Sequence, residues 1–544
     1  MTRRFVSHHK GRKQLTTSLN KMSKMTMNWR RPRKTTPKSS LIQEPRLLFH
    51  YDQATEDPRD GLTLFGPLER GKPYGIRFGV VGTPDGVRYF RDWLTRAQLP
   101  IGDPEEVARP SYPGFEAAFG IPWKPKPEYE EVIEEQELLR RLSFGDRHHR
   151  VYKAVDLYED AILKVHTTEE TPVDVWFVIE PDEVYRSCRP QSSVDIASRI
   201  DSREGLTKKD VGLAAKGQGH LFLNELASEL AQAYDFEVNF HNQLKARLLD
   251  HQIVTQIIRE STIAYDRVLG ANGESLRDLS KVQQDIAWHL ATAAFYKAGG
   301  RPWKISGMRE RVCYLGIVFK HIDLSKDPRM ACCAAQMFLN SGDGVVFKGN
   351  NGPWYTGRRG DFHVDQESAS DLVQKAIDSY KSKDLQNKPP KELFIHAKTK
   401  FNDTEWQGFT SAAGDQTNVV TVQIREEYDL KLFRPGRNPV LRGTAIPIDN
   451  HIGYLWTRGL VPRLRTYIGR EVPNPLSIKI CRGEADMETV FADVLGLTKL
   501  NYNACRYGDG EPVTLKFADA VGEILTAGPV FEGDVPPLPF KHYI

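Results

Sequence analysis

The stretch "HNQLKARLLDHQIVTQ" (241–256) decides how this chain reads. Its first half has a helical period: Phe240, Leu244 and Leu248 recur four apart and share a face. His241 and Lys245 are also four apart, so they project from one side of that helix. No carboxylate shares that side to neutralise the lysine. A strand-like run at 253–258 follows and carries Gln256. A cation and neutral donors brought together without an acid are suited to receive an anion.

Outward from this stretch the pattern is α/β. "VDVWFVIEP" (173–181) is apolar almost throughout and reads as a buried strand. Residues 220–236 read as a helix, and "QQDIAWHLATAAFYKAGG" (283–300) as a longer one closed by Gly299-Gly300. Strand and helix in alternation indicate a doubly wound, Rossmann-like sheet. From Val312 onward "VCYLGIVF", "CCAAQMFL" and "GVVFKG" read as three consecutive strands. A helix (366–381), the strand "ELFIHA" (392–397) and a helix (403–412) follow. Strands are expected at 418–426, 430–434, 441–448, 452–457 and 475–481, then helices near 484–497 and 516–526. Three strands followed by strand–helix alternation is the order of a ribonuclease H-like fold. Nearer the N-terminus, 55–90 reads as turns and short strands, with Asp57-Pro58 and Pro84-Asp85-Gly86 as turn chemistry. An acidic helical segment is expected over about 128–142.

The chain has 544 residues, enough for two or three domains. Its hydrophobic and charged fractions, 40% and 27%, are those of a soluble globular protein, and no apolar run is long enough to span a membrane. The N-terminus lacks the apolar core of a secretory signal. None of the six cysteines forms a CxxC pair, and buried thiols in a reducing cytoplasm are expected. The net charge of +4 conceals an asymmetry: residues 1–40 hold six Arg, six Lys and no acid, so the remainder is net negative. That basic arm reads as disordered. It is either a nucleic-acid-binding extension or a stretch upstream of a later start at Met22, Met25 or Met27. The rest of the chain needs local sites rather than global charge to hold a polyanion.

Several segments in this order resemble short prokaryotic Argonautes, proteins of MID and PIWI domains without PAZ, and most of all the Argonaute subunit of the TIR–APAZ (SPARTA) defence systems. They are "DPRDGLTLFGPL", "GVVGT", "VDVWFVI", "HNQLKARLLDHQIVTQIIREST", "AFYKAGGRPWK", "VCYLGIVFK", "FIHAKTKFNDTEW" and "GLTKLNYNACRYGDGEPVTLKFADAVGEIL". The resemblance implies a basic extension at 1–43, a linker-like segment packed on MID and PIWI at 44–170, a MID domain at 171–310, a PIWI domain at 311–528 and a tail at 529–544. It also implies that His241, Lys245, Gln256 and Lys297 hold the 5′ phosphate of a guide strand. The Ile544 carboxylate and a Mg²⁺ are further candidates there. Lysines would supply charge, Gln256 a neutral donor, and His241 a stacking face or donor.

Cleavage by this family needs four metal-binding side chains, mostly carboxylates, around two Mg²⁺. The matching positions are Val318, Lys398 and Asp519, with no convincing glutamate in 341–365. The resemblance therefore implies a nuclease-dead PIWI domain, no enzyme in this chain, and NAD(P)⁺ hydrolysis by a TIR–APAZ partner. A guide RNA and complementary single-stranded DNA from plasmids or phage are the implied ligands, in a cytoplasmic heterodimer that assembles further on activation. A different APAZ-linked effector (Sir2 or nuclease) and a residual guided nuclease are the alternatives. Arg434, Arg437, Arg442, Arg458, Arg463, Arg465, Lys499 and Asn503 are candidate backbone contacts. "WYTGRRGD" (354–361) is a basic loop near the duplex or a plain hairpin tip. The tail carries Pro529, Pro536, Pro537 and Pro539, which exclude a regular helix or central strand. With Glu532, Asp534 and several apolar side chains, it is either an acidic strand that occupies the cleft until nucleic acid displaces it, or an end without a role.

Overall fold

The computed structural model describes residues 38–544 except 191–231, 271, 323–326, 340–343, 358–360, 384–385, 468, 470 and 530–536. Two larger sheets organise the unit Lys38–Ile544, beside a small antiparallel one of Ala54–Thr55, Leu47–Leu48 and Lys304–Ile305. The smaller of the two is parallel. Its strands are β1 (Phe78–Gly82), β2 (Tyr129–Val132), β3 (Val175–Glu180) and β4 (Thr255–Arg259), in the order β2-β1-β3-β4. The continuous apolar run of β3 has a simple cause: all six of its residues are buried, because both faces are covered. Val175, Phe177 and Ile179 enter the main core with helix Pro84–Arg96, while Trp176 and Val178 face helices Arg147–Thr168 and Phe240–Leu249.

Half of this sheet comes from the segment expected to be a linker at 44–170. The turn chemistry read there corrects to helix starts. Asp57 caps helix Pro58–Phe65 by accepting from the Arg59 N–H, and Thr83 caps Pro84–Arg96 by accepting from the Gly86 N–H. Proline in the first turn loses no hydrogen bond, because that N–H has no partner within the helix. The expected acidic helix divides into β2 and helix Glu135–Leu142. Most of the helix expected at 220–236 lies outside the described residues.

The larger sheet has ten strands. They include β5 (Val312–His321), β6 (Ala331–Leu339), β7 (Gly344–Gly352), β8 (Glu392–Ala397), β9 (Asn418–Glu426), β10 (Thr444–Pro447), β11 (Ile452–Leu455), β12 (Leu476–Arg482) and β13 (Leu538–Pro539). From one edge the order is Ser40–Leu41, then β10-β11-β12-β9-β8-β5-β6-β7-β13. Only β8 runs parallel to its neighbours β5 and β9; the other pairs are antiparallel. Residues alternate between two cores. Cys313, Leu315 and Ile317 pack toward helices Gln366–Lys383 and Asp403–Ala413, while Val312 and Tyr314 face the main core. Asn402 and Glu405 form a reciprocal capping box that starts the second of those helices. The expected strand at 430–434 does not form: β9 already has β8 and β12 on its two sides, so no ladder remains for it.

The tail corrects more strongly. β13 adds to β7 as an edge strand, where Pro539 costs no ladder bond, and Leu538, Phe540, Tyr543 and Ile544 are all buried in the main core. Phe540 packs edge-on against Phe338 and Phe517 at 5.1 and 5.3 Å. These residues are part of the body, not a strand laid over a cleft. Phe531, Glu532 and Asp534 lie outside the described residues.

Candidate functional site

Helix Phe240–Leu249 starts on Asn239, whose side chain accepts from the Asn242 N–H, and presents Lys245 on its inner side. Helix Gln283–Lys297 ends on Lys297, and β4 begins with Thr255 and Gln256. These three elements bring Lys245, Gln256 and Lys297 together. Lys297 Nζ donates to Gln256 Oε1 at 2.6 Å and to the Thr255 carbonyl at 2.9 Å. A main-chain oxygen of Ile544, the last residue of this chain, accepts from Lys245 Nζ at 2.8 Å and from Lys297 Nζ at 2.5 Å. Both lysines are almost fully buried, 2% and 1% exposed.

Two ammonium groups so placed repel each other and have lost their water. Burial pushes Lys245 down to about 7, and burial followed by the Lys245 charge pushes Lys297 well below its ordinary value. Ile544 opposes both shifts where its oxygen is anionic, because it sits within hydrogen-bonding distance of each Nζ. His241 is half-buried on the same helix, one turn earlier. Desolvation, then Lys245, Arg189 and Lys297, hold it well below its ordinary value, which favours the neutral ring. His542, also buried, is pushed down to about 4 by burial first and by Lys541 next. Thr255, Arg189 and His542 were not legible as parts of this group. Thr255 contributes only its carbonyl, and the other two reach it through the fold.

As a cation site the pocket fits poorly. A Mg²⁺ would find the Ile544 oxygen already held by two ammonium groups. Among the described residues no three acidic, histidine or cysteine side chains converge as metal ligands would.

The other expected site lies on the ten-stranded sheet. Val318 is buried against Ala334 and Ala518. Lys398, just past the end of β8, reaches Glu511 Oε1 at 3.4 Å and Asp519 Oδ2 at 3.5 Å. Helix Ala518–Leu525 thus brings all three positions into one neighbourhood. Glu511 was missed in the sequence, although it stands in the turn "GDGEP" inside the quoted segment that ends in "GEIL". Gly316 fixes the approach: a Cβ there would sit 1.9 Å from the Thr514 carbonyl oxygen, so only glycine lets residues 513–516 lie on β5.

Of the candidate backbone contacts, Arg442 and Lys499 turn inward, which corrects their assignment. Arg442 Nε donates to both Glu44 oxygens at 3.1 and 3.0 Å, and its Nη2 to Thr498 Oγ1 at 2.6 Å. Lys499 Nζ pairs with Glu44 at 2.8 Å, donates to the Glu56 carbonyl at 2.7 Å and lies 4.1 Å from the Tyr507 ring centre. One carboxylate shared by two buried cations is a structural device. Arg463 is half exposed and held by Asp60 through two contacts of 2.7 Å. Arg458 pairs loosely with Glu426 at 3.6 Å, and Arg465 is exposed in a left-handed conformation, φ 51°. Asn503 is half-buried, its N–H donating to Asn501 Oδ1 at 2.9 Å. Arg434 and Arg437 are exposed; Arg358 and Arg359 lie outside the described residues. No helix among the described residues is long and apolar enough to cross a membrane.

No protein-family model matches the chain, and no curated protein does. Solved structures do. Clostridium butyricum Argonaute, bound to a guide DNA and a 19-mer target DNA, superposes with a TM-score of 0.59 at 14% identity over 90% of this chain and 53% of that one. Drosophila Piwi gives 0.53 at 12% identity over 93% and 56%, and Aa-Ago with externally bound siRNA gives 0.51 at 13% over the same shares. The chain thus spans little more than half the length of these proteins. Its parallel sheet and its ribonuclease H-like sheet together make a MID–PIWI-type, Argonaute-like fold.

Proposed function

We propose that this chain is a guide-holding sensor: a 5′-phosphorylated guide RNA seats its phosphate at Lys245, Gln256 and Lys297, and the loaded chain recognises complementary single-stranded DNA. The observation that carries this reading is the convergence of two buried ammonium groups on a single oxygen. Buried like charges are costly to fold, and an anion bound between them repays that cost. The guide phosphate takes the role that Ile544 fills here or shares the lysines with it. His241, neutral and one turn away, offers its ring to the first base. The Argonaute-like fold supports the choice of a nucleic acid over a small anion.

In this reading the PIWI-type domain binds and does not cut. Valine cannot ligate a metal, and the Lys398 ammonium occupies the electrostatic place of a cation between Glu511 and Asp519. Base pairing supplies sequence specificity, and the protein holds the duplex through its backbone. The sequence resemblance supplies the remainder: a TIR–APAZ partner whose NAD(P)⁺ hydrolysis follows target recognition, in defence against plasmids or phage.

The test is guide loading. With Lys245→Ala and Lys297→Ala combined, 5′-phosphate RNA should bind no better than 5′-hydroxyl RNA. Charge-assisted contacts are worth about 1.5–3 kcal/mol each, so each lysine accounts for about a tenfold loss or more. A double variant that still prefers the phosphorylated RNA like the wild type would refute the pocket.

A further inference from the structure

Residues 427–443 join β9 to β10 and form no helix or strand, only a single bridge from Leu441 to Leu460. Connections of this length in a compact body are usually functional. Both ends are pinned. The Glu427 N–H donates to the Pro475 carbonyl at 2.9 Å, Lys431 Nζ to the Val472 carbonyl at 3.1 Å, and the Leu460 N–H to Val440 at 2.8 Å. What projects between these anchors is the tip Phe433-Arg434-Pro435-Gly436-Arg437-Asn438. Gly436 has φ +102°, and a Cβ on it would meet nothing within 4 Å, so the turn stands in open solvent.

Phe433 on this tip is 73% exposed. Arg434 follows it directly and Arg437 lies four residues on, both exposed and both without a carboxylate partner among the described residues. At the root, Tyr428 is 67% exposed, and its hydroxyl donates to Glu426 Oε2 at 3.0 Å. A ring held in water by a pinned, proline-stiffened loop, with two unpaired arginines on the same tip, suits one kind of occupant. A nucleobase stacks on the ring, and the adjoining phosphates meet the cations. A protein partner would need a broader apolar patch than this tip, whose other residues are Pro435, Gly436 and Asn438.

We propose that Phe433 is a stacking platform for one base of single-stranded nucleic acid, with Arg434 and Arg437 on the neighbouring phosphates. The proposal rests on the nucleic-acid reading above only for the class of its ligand. The full chain, loaded with a 5′-phosphorylated guide RNA, is titrated with complementary single-stranded DNA and with the same DNA carrying an abasic site moved along it. Phe433→Ala should weaken binding of intact DNA by about five- to a hundredfold, and Phe433→Trp should restore it. One abasic position should reproduce the loss without adding to that of Phe433→Ala. Preference for a 5′-phosphate guide should stay unchanged in Phe433→Ala, which separates this site from the lysine pocket. Unaltered DNA affinity in Phe433→Ala would overturn the proposal, as would a loss additive with every abasic site. Loss of a bound protein at unchanged DNA affinity would overturn it as well. If the wild-type chain binds no oligonucleotide, the functional reading and this proposal both fall.

Discussion

Lysine is used in opposite ways at two places in this molecule. At the start of β4, Lys245 and Lys297 are buried, converge on one oxygen and, among the described residues, have no carboxylate side chain paired with them. At the end of β8, Lys398 is partly exposed and lies between the side chains of Glu511 and Asp519. The first arrangement pushes both lysines toward the neutral form in a low-dielectric place, where an incoming anion favours their charged form and is worth most. The second spends its charge locally, and Glu511 foremost holds the Lys398 ammonium above its ordinary range against the opposing desolvation. In the proposed function, one site receives. In the other, two acids are already neutralised by a lysine.

Three experiments strain this contrast. The largest effect should come from removing residues 538–544, which complete the lysine pocket. Leu538, Phe540, Tyr543 and Ile544 are each buried. Truncating such side chains costs about 2–5 kcal/mol apiece, comparable together with the whole margin of a folded domain, about 5–15 kcal/mol. Thermal unfolding should show a collapse of stability or no soluble protein. A truncated chain that melts like the intact one would make the tail a dispensable appendage.

A smaller effect should follow pH. Burial holds Lys245 near 7 in the structure described, and a bound phosphate favours the protonated lysine. Binding therefore takes up protons, and affinity for 5′-phosphate guides should fall as pH rises from about 7.5 to 9, where the phosphate itself is already fully charged. The 5′-hydroxyl guide supplies the baseline. A flat profile would mean that Ile544 keeps both ammonium groups protonated throughout.

The smallest effect belongs to Lys398. Replacing it by alanine removes a partly exposed ion pair, worth at most about 1 kcal/mol. It should leave target DNA intact in the presence of guide and Mn²⁺, because Val318 still offers no ligand. Guide-dependent cleavage that needs Asp519 would erase the distinction between the two sites.

Much of the architecture was legible because periodicity reports burial. The apolar runs of β3 and β5 and the four-residue spacing around Leu244 required no knowledge of distant partners. Lys245, Gln256 and Lys297 were nameable together only by resemblance, since the sequence separates Gln256 from Lys297 by a whole helix. What stayed hidden has physical causes. Asp57-Pro58 and Pro84-Asp85-Gly86 carry the same residues whether they turn a chain or start a helix, and the following apolar period decides. Arg442 and Lys499 look like surface cations because the acid that draws them inward, Glu44, is remote in sequence. The oxygen between the pocket lysines belongs to the main chain, which no side-chain pattern announces.

That remoteness of Glu44 has a consequence in time. Its two partners emerge from the ribosome much later, Lys499 about 450 residues after it. At roughly 5–20 residues per second, synthesis leaves that carboxylate, and the edge strand Ser40–Leu41 beside it, without a completed partner set for roughly 20–90 s. Until Thr444 and Ala445 emerge, Ser40–Leu41 has no ladder partner in that sheet, and an unpaired strand is open to mispairing. The ion triad therefore acts as a late clasp: once formed, it reports that the first and last thirds of the body have found each other.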